Sequence, residues 1–416
     1  MLKNNDSKNY VPISNIVDIY LGGTPSRAES KYWGQGIKWA SATDIATCES
    51  RYLRKTKEQI TELGLQKSAA KLLGKNTVLI TARGTVGALC MLPEPMSFNQ
   101  TCYGLVCHYE LDPTYLYFAL KARIQHIKSQ TYGAVFDTIT IKSFDFITIP
   151  LPTLSTQRKI AAILSAYDDL IENNTRRIKI LEEMAQAIYR EWFVHFRFPG
   201  HEGVKMVETE LGLAPEGWEV KKLGEIAYVN PDAIKKGFEP DVISYVDIAS
   251  VSPGRIDKVE SMRFVDAPGR ARRIVQHGDI IWSCVRPNRK SYSLIINPVP
   301  NMIVSTGFAV LRPRRIHFSY LYHAVSTKEF VGYLTNHATG AAYPAVTAAD
   351  FENALILLPP NHLCKKFHKI VEDSYILVDL LNRRCENLRI TRDLLLPKLV
   401  SGELDVRGAV NEWENE

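Results

Sequence analysis

Two long stretches of the chain carry apolar residues at intervals of three and four, a pattern that predicts two long amphipathic helices. The first stretch covers residues 157–192, and a helix of that length would span roughly 54 Å at 1.5 Å per residue. The second covers residues 367–395 and should end near Pro397 and Gly402. A helix this long with one apolar stripe needs a partner, so we expect the two helices to pack together as a coiled coil. The alternative is that each stripe covers only its own domain.

Outside these helices, short runs of β-branched residues alternate with glycine and proline turn signals, which predicts irregular mixed sheets. Residues 78–81 are typical of a strand that leads into the glycine turn 83–87. Residues 280–283 occupy the corresponding place later in the chain, and residues 114–128 have a helical pattern. We therefore predict a mixed α/β domain in each half.

The chain also repeats itself at a distance of about 205 to 208 residues. Tyr115-Leu116-Tyr117 returns as Tyr320-Leu321-Tyr322, Gly133-Ala134 as Gly340-Ala341, and the Pro-rich entry to the first helix as residues 357–360. Solenoid repeats are only about 20 to 50 residues long, so this period indicates a duplicated unit of one domain and one helix. A duplicated unit predicts a body with pseudo-two-fold symmetry, which would suit a bipartite target such as double-stranded DNA.

Composition excludes several classes of protein. The seven cysteines are odd in number and contain no Cys-x-x-Cys pair, so free thiols are expected rather than a disulfide framework or a zinc site. No apolar run approaches the roughly 18 residues of a membrane span, and residues 1–6 are too polar to begin a signal peptide. We expect a cytoplasmic protein with no membrane association.

The formal net charge of +6 is spread unevenly. Residues 263–315 contain ten Lys and Arg against two Asp, interleaved with aromatic and amide side chains, the mixture that DNA-binding surfaces use for phosphate and base contacts. The turn in the first half should present an equivalent surface. The candidate DNA-contacting residues are Arg83, Thr85, Arg270, Arg272, Arg273, Arg286, Asn288, Arg289, Lys290 and Tyr343.

No catalytic signature is evident. The chain has neither a phosphate-binding G-x-x-x-x-G-K-[ST] loop nor the Asn/Asp-Pro-Pro-aromatic motif of amino methyltransferases, and its histidines lack metal-ligand spacing. We assign no catalytic or metal-binding residue, and this favours a binding subunit. Two alternatives stay open: a DNA methyltransferase or nuclease with unrecognised motifs, and a coiled-coil scaffold that binds no nucleic acid.

Three segments carry a family resemblance. Residues 157–164 (QRKIAAIL) with 169–174 (DLIENN), residues 215–226 (PEGWEVKKLGEI) and residues 394–404 (LLLPKLVSGEL) are similar to conserved segments of type I restriction-modification specificity subunits. The ordered set extends over nearly the whole chain.

The resemblance implies an α+β fold in which two target-recognition domains are separated by two long antiparallel helices. The implied boundaries are 1–150 and 201–357 for the domains, and 151–200 and 358–416 for the helical regions. Each domain would read one half of a split double-stranded DNA sequence.

The resemblance also implies partners. Two modification methyltransferase subunits would bind S-adenosylmethionine and dock on the helices, and restriction subunits would add ATP- and Mg²⁺-dependent translocation and cleavage. This chain itself would hold no cofactor. The candidate partner-binding residues are Ile163, Tyr167, Leu170, Ile178, Leu181, Ile370, Leu377, Leu381 and Leu388.

Overall fold

The computed structural model describes residues 10–130, 138–237 and 239–406. The chain divides into two compact units, the first built from two separate stretches of sequence and the second from one continuous stretch. Unit 1 comprises the residues up to Asn174 together with those from Arg384 onward, and unit 2 comprises Thr175–Arg383. Each unit therefore owns one half of each long helix. The domain boundaries predicted at residues 150, 200 and 357 follow a different criterion, since they separate sheets from helices, and they remain a prediction.

Unit 1 begins with short strands and ends in a long helix. Its elements are β1 (Tyr10–Pro12), β2 (Val17–Leu21), β3 (Trp33–Ala40), α1 (Ala42–Ala46), β4 (Glu58–Ile60), α2 (Glu62–Gln66), β5 (Val78–Thr81), β6 (Leu89–Met91), β7 (Ser97–Phe98), β8 (Cys102–Cys107), α3 (Pro113–Gln130), β9 (Thr148–Pro150) and the start of α4 (Leu154–Tyr189). The strands are short because glycine turns interrupt each apolar run, as the sequence predicts.

Unit 2 follows the same order with additional strands. Its elements are β10 (Met206–Thr209), β11 (Gly212–Pro215), β12 (Glu219–Lys222), α5 (Leu223–Ile226), β13 (Ala227–Val229), β14 (Val242–Val246), β15 (Val251–Ser252), β16 (Arg255–Ile256), β17 (Glu260–Arg263), β18 (Ala271–Ile274), β19 (Ile280–Ser283), β20 (Tyr292–Leu294), β21 (Met302–Ser305), β22 (Phe308–Pro313), α6 (Phe318–Ala324), α7 (Lys328–His337), α8 (Ala348–Asn353), β23 (Leu355–Leu358) and α9 (Asn361–Val400), which continues into unit 1.

The two units contain the same sheets. Unit 1 has an antiparallel sheet of order β2-β8-β5-β6, and unit 2 has one of order β13-β22-β19-β20. A second sheet, β4-β3-β7 in unit 1, corresponds to β17-β14-β21-β18 in unit 2, and both contain one parallel pair. The first sheet packs its buried strands against a helix in each unit, with β5 and β19 fully buried. The duplication predicted from the sequence is thus a duplication of topology.

Side-chain hydrogen bonds repeat with the sheets. The Tyr115 hydroxyl donates to the Pro150 carbonyl at 2.8 Å, and the Tyr320 hydroxyl donates to the Leu357 carbonyl. Both tyrosines are buried, and each fixes the short strand that leads into a long helix. The pair Tyr115 and Tyr320 is the one that the sequence repeat singled out. Its other member, Gly133-Ala134, lies outside the described residues.

In unit 1 the two long helices pack side by side in opposite directions. Asp168 of α4 bonds to Arg392 of α9, whereas Ile171, further along α4, meets Cys385, which lies earlier on α9. In unit 2 the other halves of α4 and α9 share one apolar core, in which Tyr189 and Phe193 contact Phe367. The predicted fold class, two mixed domains joined by two long helices, is confirmed.

The helix limits differ from the expected ones in two places. Helix α4 begins at Leu154, where the Thr153 hydroxyl caps the Thr156 amide, and it passes into a π-helical turn, Arg190–Val194. Helix α9 begins at Asn361, before the predicted start at Phe367, and ends at Val400, between Pro397 and Gly402, where the sequence predicts its end. Proline is tolerated there because it costs a single hydrogen bond in the last turn.

Candidate nucleic-acid interface

The turn after β19 is held between two neighbouring loops. The Cys284 amide donates to the Gly307 carbonyl at 2.8 Å, and the Val346 amide donates to the Cys284 carbonyl at 2.9 Å. Two residues later the Arg286 amide donates to the Pro344 carbonyl at 2.7 Å. Because the backbone is fixed on both sides, side chains from this turn project from a rigid base.

Arg286 is pre-oriented within that turn. Its backbone lies in the left-handed region at φ +51°, as does that of Lys290 at φ +57°. Its guanidinium lies 4.4 Å from the centre of the Tyr343 ring and donates to the Ala342 carbonyl at 3.2 Å. The Tyr343 ring is 68% exposed. A left-handed arginine costs conformational energy, and such strain tends to be kept where function requires it.

Unit 1 forms the same turn with different residues. The Ala82 amide donates to the Thr101 carbonyl, and the Ile139 amide donates to the Ala82 carbonyl, which reproduces the bonds of Cys284. Here the left-handed positions are Gly84 at φ +77° and Gly87 at φ +78°. Arg83 and Thr85 are exposed on this turn, as the sequence predicts. Tyr132 and Phe136, aromatic residues beside Gly133 that could stack at a DNA groove, lie outside the described residues.

The predicted DNA-contacting residues of unit 2 fall into two groups, one on the turn after β19 and one at strand β18. The turn of Arg286 also exposes Asn288, Arg289 and Lys290. The loop that contains Tyr343 lies beside this turn, joined to it by the hydrogen bond from the Arg286 amide. Arg270, Arg272 and Arg273 instead belong to or precede β18 in the second sheet of the unit.

The two arginines of β18 differ in their side-chain contacts. The Arg272 guanidinium lies 4.9 Å from the Phe264 ring centre and donates to the Ala271 carbonyl. Arg273 is partly buried, its Nε has no hydrogen-bond partner, and burial lowers the pKa of its guanidinium. Whether either side chain contacts DNA stays a prediction.

Several basic side chains of residues 263–315 are engaged within unit 2, so fewer of them are available to bind DNA than the charge count suggests. Arg312 donates two hydrogen bonds of 2.8 Å to the fully buried Asp279 and also pairs with Asp232, while Arg263 pairs with Asp266 at 2.8 Å. Arg314 lies over the Tyr228 ring at 5.1 Å. These three were outside the candidate set, and their contacts stabilise the unit itself.

Sequence reasoning missed an acidic residue that binds Arg270. Asp247 follows β14 and accepts hydrogen bonds from Arg270 Nε at 2.9 Å, from the Tyr245 hydroxyl at 2.9 Å and from the Ala249 amide at 3.2 Å. Partial burial acts against ionisation, but these donors hold the pKa of the Asp247 carboxyl below its ordinary value. The available signal was an aspartate placed directly after an apolar strand, outside the basic run.

The predicted partner-binding residues differ widely in exposure. Leu381 is 1% exposed, so in this chain its side chain is buried rather than facing outward. Leu170 and Ile370 are about half exposed, at 53% and 47%. The remaining candidates, all partly buried, are Ile163, Tyr167, Ile178, Leu181, Leu377 and Leu388. Exposed apolar side chains on the same helices that were not predicted are Ile180, Met184, Ile376, Leu380, Ile390 and Leu394.

Two further observations concern bound groups and membranes. Within residues 10–130, 138–237 and 239–406, no three His, Cys, Asp or Glu side chains are grouped so that they could hold a metal ion. Over the same ranges, none of the helices is both long and apolar enough to cross a bilayer. The seven cysteines are all free, as expected.

The chain is similar to specificity subunits of type I restriction enzymes. Residues 5–183 match the family model described as the type I restriction modification DNA specificity domain. The MjaIX type I restriction enzyme specificity subunit of Methanocaldococcus jannaschii is 28% identical over 404 residues, which cover 95% of this chain and 93% of that protein. The HindI specificity subunit of Haemophilus influenzae is 22% identical over 341 residues, covering 66% of this chain and 73% of its own length.

A solved structure shares the fold. The crystal structure of the type I restriction-modification system S subunit from M. genitalium aligns with a TM-score of 0.59 at 19% identity, covering 96% of this chain and 98% of that one. The alignment therefore includes both units, whereas the family model matches only the first half of the sequence.

Proposed function

We propose that the chain is a specificity subunit of a type I restriction-modification system and that each unit reads one half of a bipartite double-stranded DNA site. The match of residues 5–183 to the specificity-domain model and the similarity to specificity subunits along most of the chain support this proposal. The observation that carries the proposal is the repeated turn. The same strand end in both units, after β5 and after β19, presents a backbone fixed by the same hydrogen bonds but different side chains. A shared scaffold with divergent loops is what two readers of different sequences require.

The chemistry of the two turns supports different half-sites. In unit 2 the turn offers Arg286, Asn288, Arg289 and Lys290, side chains that can bind guanine and adenine edges or phosphates. In unit 1 the turn offers one arginine and one threonine, Arg83 and Thr85. The half-site read by unit 2 should therefore depend more strongly on direct side-chain contacts.

We also propose that the helices dock partner subunits. The exposed apolar side chains of α4 and α9, which include Leu170 and Ile370, support this proposal. Apolar surface exposed to water is unfavourable, so several such side chains along two helices mark a surface that a partner protein covers. The proposed partners are two modification methyltransferase subunits, which would bring S-adenosylmethionine, and restriction subunits, which would bring ATP and Mg²⁺. In this proposal the chain itself recognises DNA and performs no catalytic step.

Domain exchange tests the division of labour. Residues 213–357 are replaced by the matching segment of a relative, the complete system is expressed, and methylated motifs are sequenced. One half of the motif should change and the other should persist. A motif that changes in both halves at once would contradict two independent readers.

A single substitution tests the unit 2 turn. Arg286→Ala should cost about 1 to 3 kcal/mol in binding free energy and relax one position of the site if the side chain contacts a guanine. Arg263→Ala removes the same charge from an arginine paired with Asp266 and serves as the control. An equal loss of affinity for every sequence would indicate a phosphate contact, and unchanged binding would remove the turn from the interface.

The enzymatic alternative has its own test. Titration of the purified chain with S-adenosylmethionine should give no binding heat if the chain is only a specificity subunit. Saturable binding at one site per chain would favour a methyltransferase whose motifs the sequence hides.

A further inference from the structure

A second arginine of unit 2 is linked to the Arg286 turn through one short backbone connection. Arg270 precedes β18, and its carbonyl accepts from the Thr306 amide at 2.7 Å. One residue further along the same connection, the Gly307 carbonyl accepts from the Cys284 amide, which begins the Arg286 turn. The short connection between β21 and β22 thus has Arg270 on one side and the Arg286 turn on the other.

The Arg270 side chain is held in a defined orientation. Its Nε donates to Asp247 Oδ2 at 2.9 Å and to the Tyr245 hydroxyl at 3.2 Å, and its Nη2 lies 2.7 Å from the same carboxylate oxygen. Asp247 is itself fixed by the Tyr245 hydroxyl and the Ala249 amide. Tyr245 is buried at 3% exposure, so the base of this cluster is rigid.

The outward part of the guanidinium remains available. Asp247 occupies the Nε side, whereas the Arg270 side chain is 57% exposed. An arginine that donates its inner edge to a carboxylate presents its terminal nitrogens in one plane and one direction. That geometry matches the O6 and N7 acceptors of guanine in the major groove.

Resting on the proposed DNA-reading function, we propose that Arg270 is a second specificity-determining residue of unit 2 and reads a guanine, with Asp247 and Tyr245 as positioning residues. Arg270 and Arg286 then read separate base pairs of one half-site from the two sides of the connection between β21 and β22. Phosphate contacts need charge but no fixed plane, so a mobile arginine would suffice for them. The Asp247 carboxylate would even weaken a phosphate contact through like charge, which favours base reading.

In vitro selection from a random duplex library tests the proposal with the full-length chain in its complex with the partner subunits. The wild-type complex should select a bipartite motif. Arg270→Ala should reduce the preference for guanine at one base pair of the unit 2 half-site by about 5- to 150-fold, the range that one bidentate contact supplies. Asp247→Asn should weaken the preference at that same base pair while the other half-site stays unchanged.

Two further variants separate a positioning role from a structural one. Arg270→Lys keeps the charge but not the fork, so it should restore affinity for DNA without restoring the guanine preference. Asp266→Asn, which removes a carboxylate paired with the exposed Arg263, is the matched control and should leave the motif intact.

The outcomes are distinguishable. If Asp247→Asn and Arg270→Ala lower binding equally for all sequences, or leave the motif unchanged, Arg270 is not a base reader and the inference is overturned. If the wild-type complex selects no motif at all, the proposed function fails first. A blurred preference at several base pairs together with a lower unfolding temperature would show that the Asp247 cluster only stabilises the fold, which also contradicts the inference.

Discussion

The two units have similar sheets, but different buried polar groups connect each unit to its long helices: charged groups in unit 1 and neutral groups in unit 2. In unit 1 the buried face of α4 carries Asp168, and 207 positions later the corresponding residue on α9 in unit 2 is Tyr375. The same spacing separates Pro150 from Leu357, the acceptors of the two repeated tyrosine bonds. One scaffold therefore accommodates a charged centre in one copy and a neutral one in the other.

The centre of unit 1 is an ion network. Asp168 Oδ1 lies 2.6 Å from Arg392 Nη1, and Arg51, from the loop before β4, pairs with Asp169 at 2.9 Å. Arg51 and Asp168 are almost fully buried, and Arg51 Nη1 reaches within 3.9 Å of Asp168 Oδ2. The network ties a domain loop to both long helices within unit 1.

The centre of unit 2 has no net charge at neutral pH. Tyr375 and His323 Nε2 share a hydrogen bond of 2.7 Å, and the His323 ring stacks on Tyr189 at 5.0 Å. Burial lowers the pKa of His323 to about 3, so its imidazole stays neutral. The repeated fold therefore fixes the backbone path and the space available to side chains, whereas the two units satisfy their buried polar groups with different residues.

The largest expected effect breaks the ion network. Asp168→Ala leaves Arg392 and Arg51 without their buried partner and should cost unit 1 about 3 to 5 kcal/mol of unfolding free energy. Hydrogen exchange read by mass spectrometry should show lost protection in unit 1 peptides and little change in the sheets of unit 2. Glu94→Ala, which breaks an ion pair with Lys38 in which both side chains are partly exposed, should cost about 1 kcal/mol or less. Equal losses for the two variants would mean that burial of Asp168 is unimportant.

Acid should act on unit 2 in a way that unit 1 does not share. His323 has a folded pKa of about 3 against about 6.5 unfolded, so the unfolded state binds more protons as pH falls below 6.5. The stability of unit 2 should decrease by about 1.4 kcal/mol per pH unit below 6.5, or about 2 kcal/mol at pH 5, and level off near the folded value. The measurement is urea unfolding of the chain between pH 7.5 and pH 5, with exchange protection assigned to each unit.

A matched variant checks the source of that acid sensitivity. His323→Phe together with Tyr375→Phe removes both hydrogen-bonding groups, and Phe118 already stands at the place that corresponds to His323 in the repeat. The double variant should lose the part of the acid sensitivity that His323 supplies and keep the part that comes from His317 and His368, whose pKa values burial also lowers, while it retains most of its stability at pH 7.5. Persistence of the full pH dependence would assign it to another group.

The smallest expected effect concerns the glycine turn of unit 1. Gly84→Ala introduces a Cβ into open space at φ +77°, so only backbone strain should count, at about 1 kcal/mol. Gly74→Ala also meets open space but lacks a positive φ, and it should change stability by about 0.5 kcal/mol or less. Thermal unfolding of both variants measures the difference. A neutral Gly84→Ala would show that this position accepts a Cβ at positive φ without measurable strain.

Much of the fold followed from local patterns because those patterns have short-range causes. The strands 78–81 and 280–283, the long helices and the Tyr115 and Tyr320 repeat are set by periodicity and by turn residues next to them. Leu381 shows where this reasoning ends. Its position on the apolar stripe suggested an outward docking residue, but a stripe does not reveal which of its members the neighbouring helix covers.

The sequence by itself determined the duplication, the two helices, the basic character of residues 263–315 and the exposed turns, since each is written in periodicity, glycine placement or charge. Only the tertiary structure decided which charges face outward. It paired Arg312 with the buried Asp279, placed Asp247 against Arg270, and joined Asp168 to Arg392 across 224 positions of sequence. Those contacts link residues far apart in the chain, and their geometry depends on how sheets and helices pack, which no local pattern encodes.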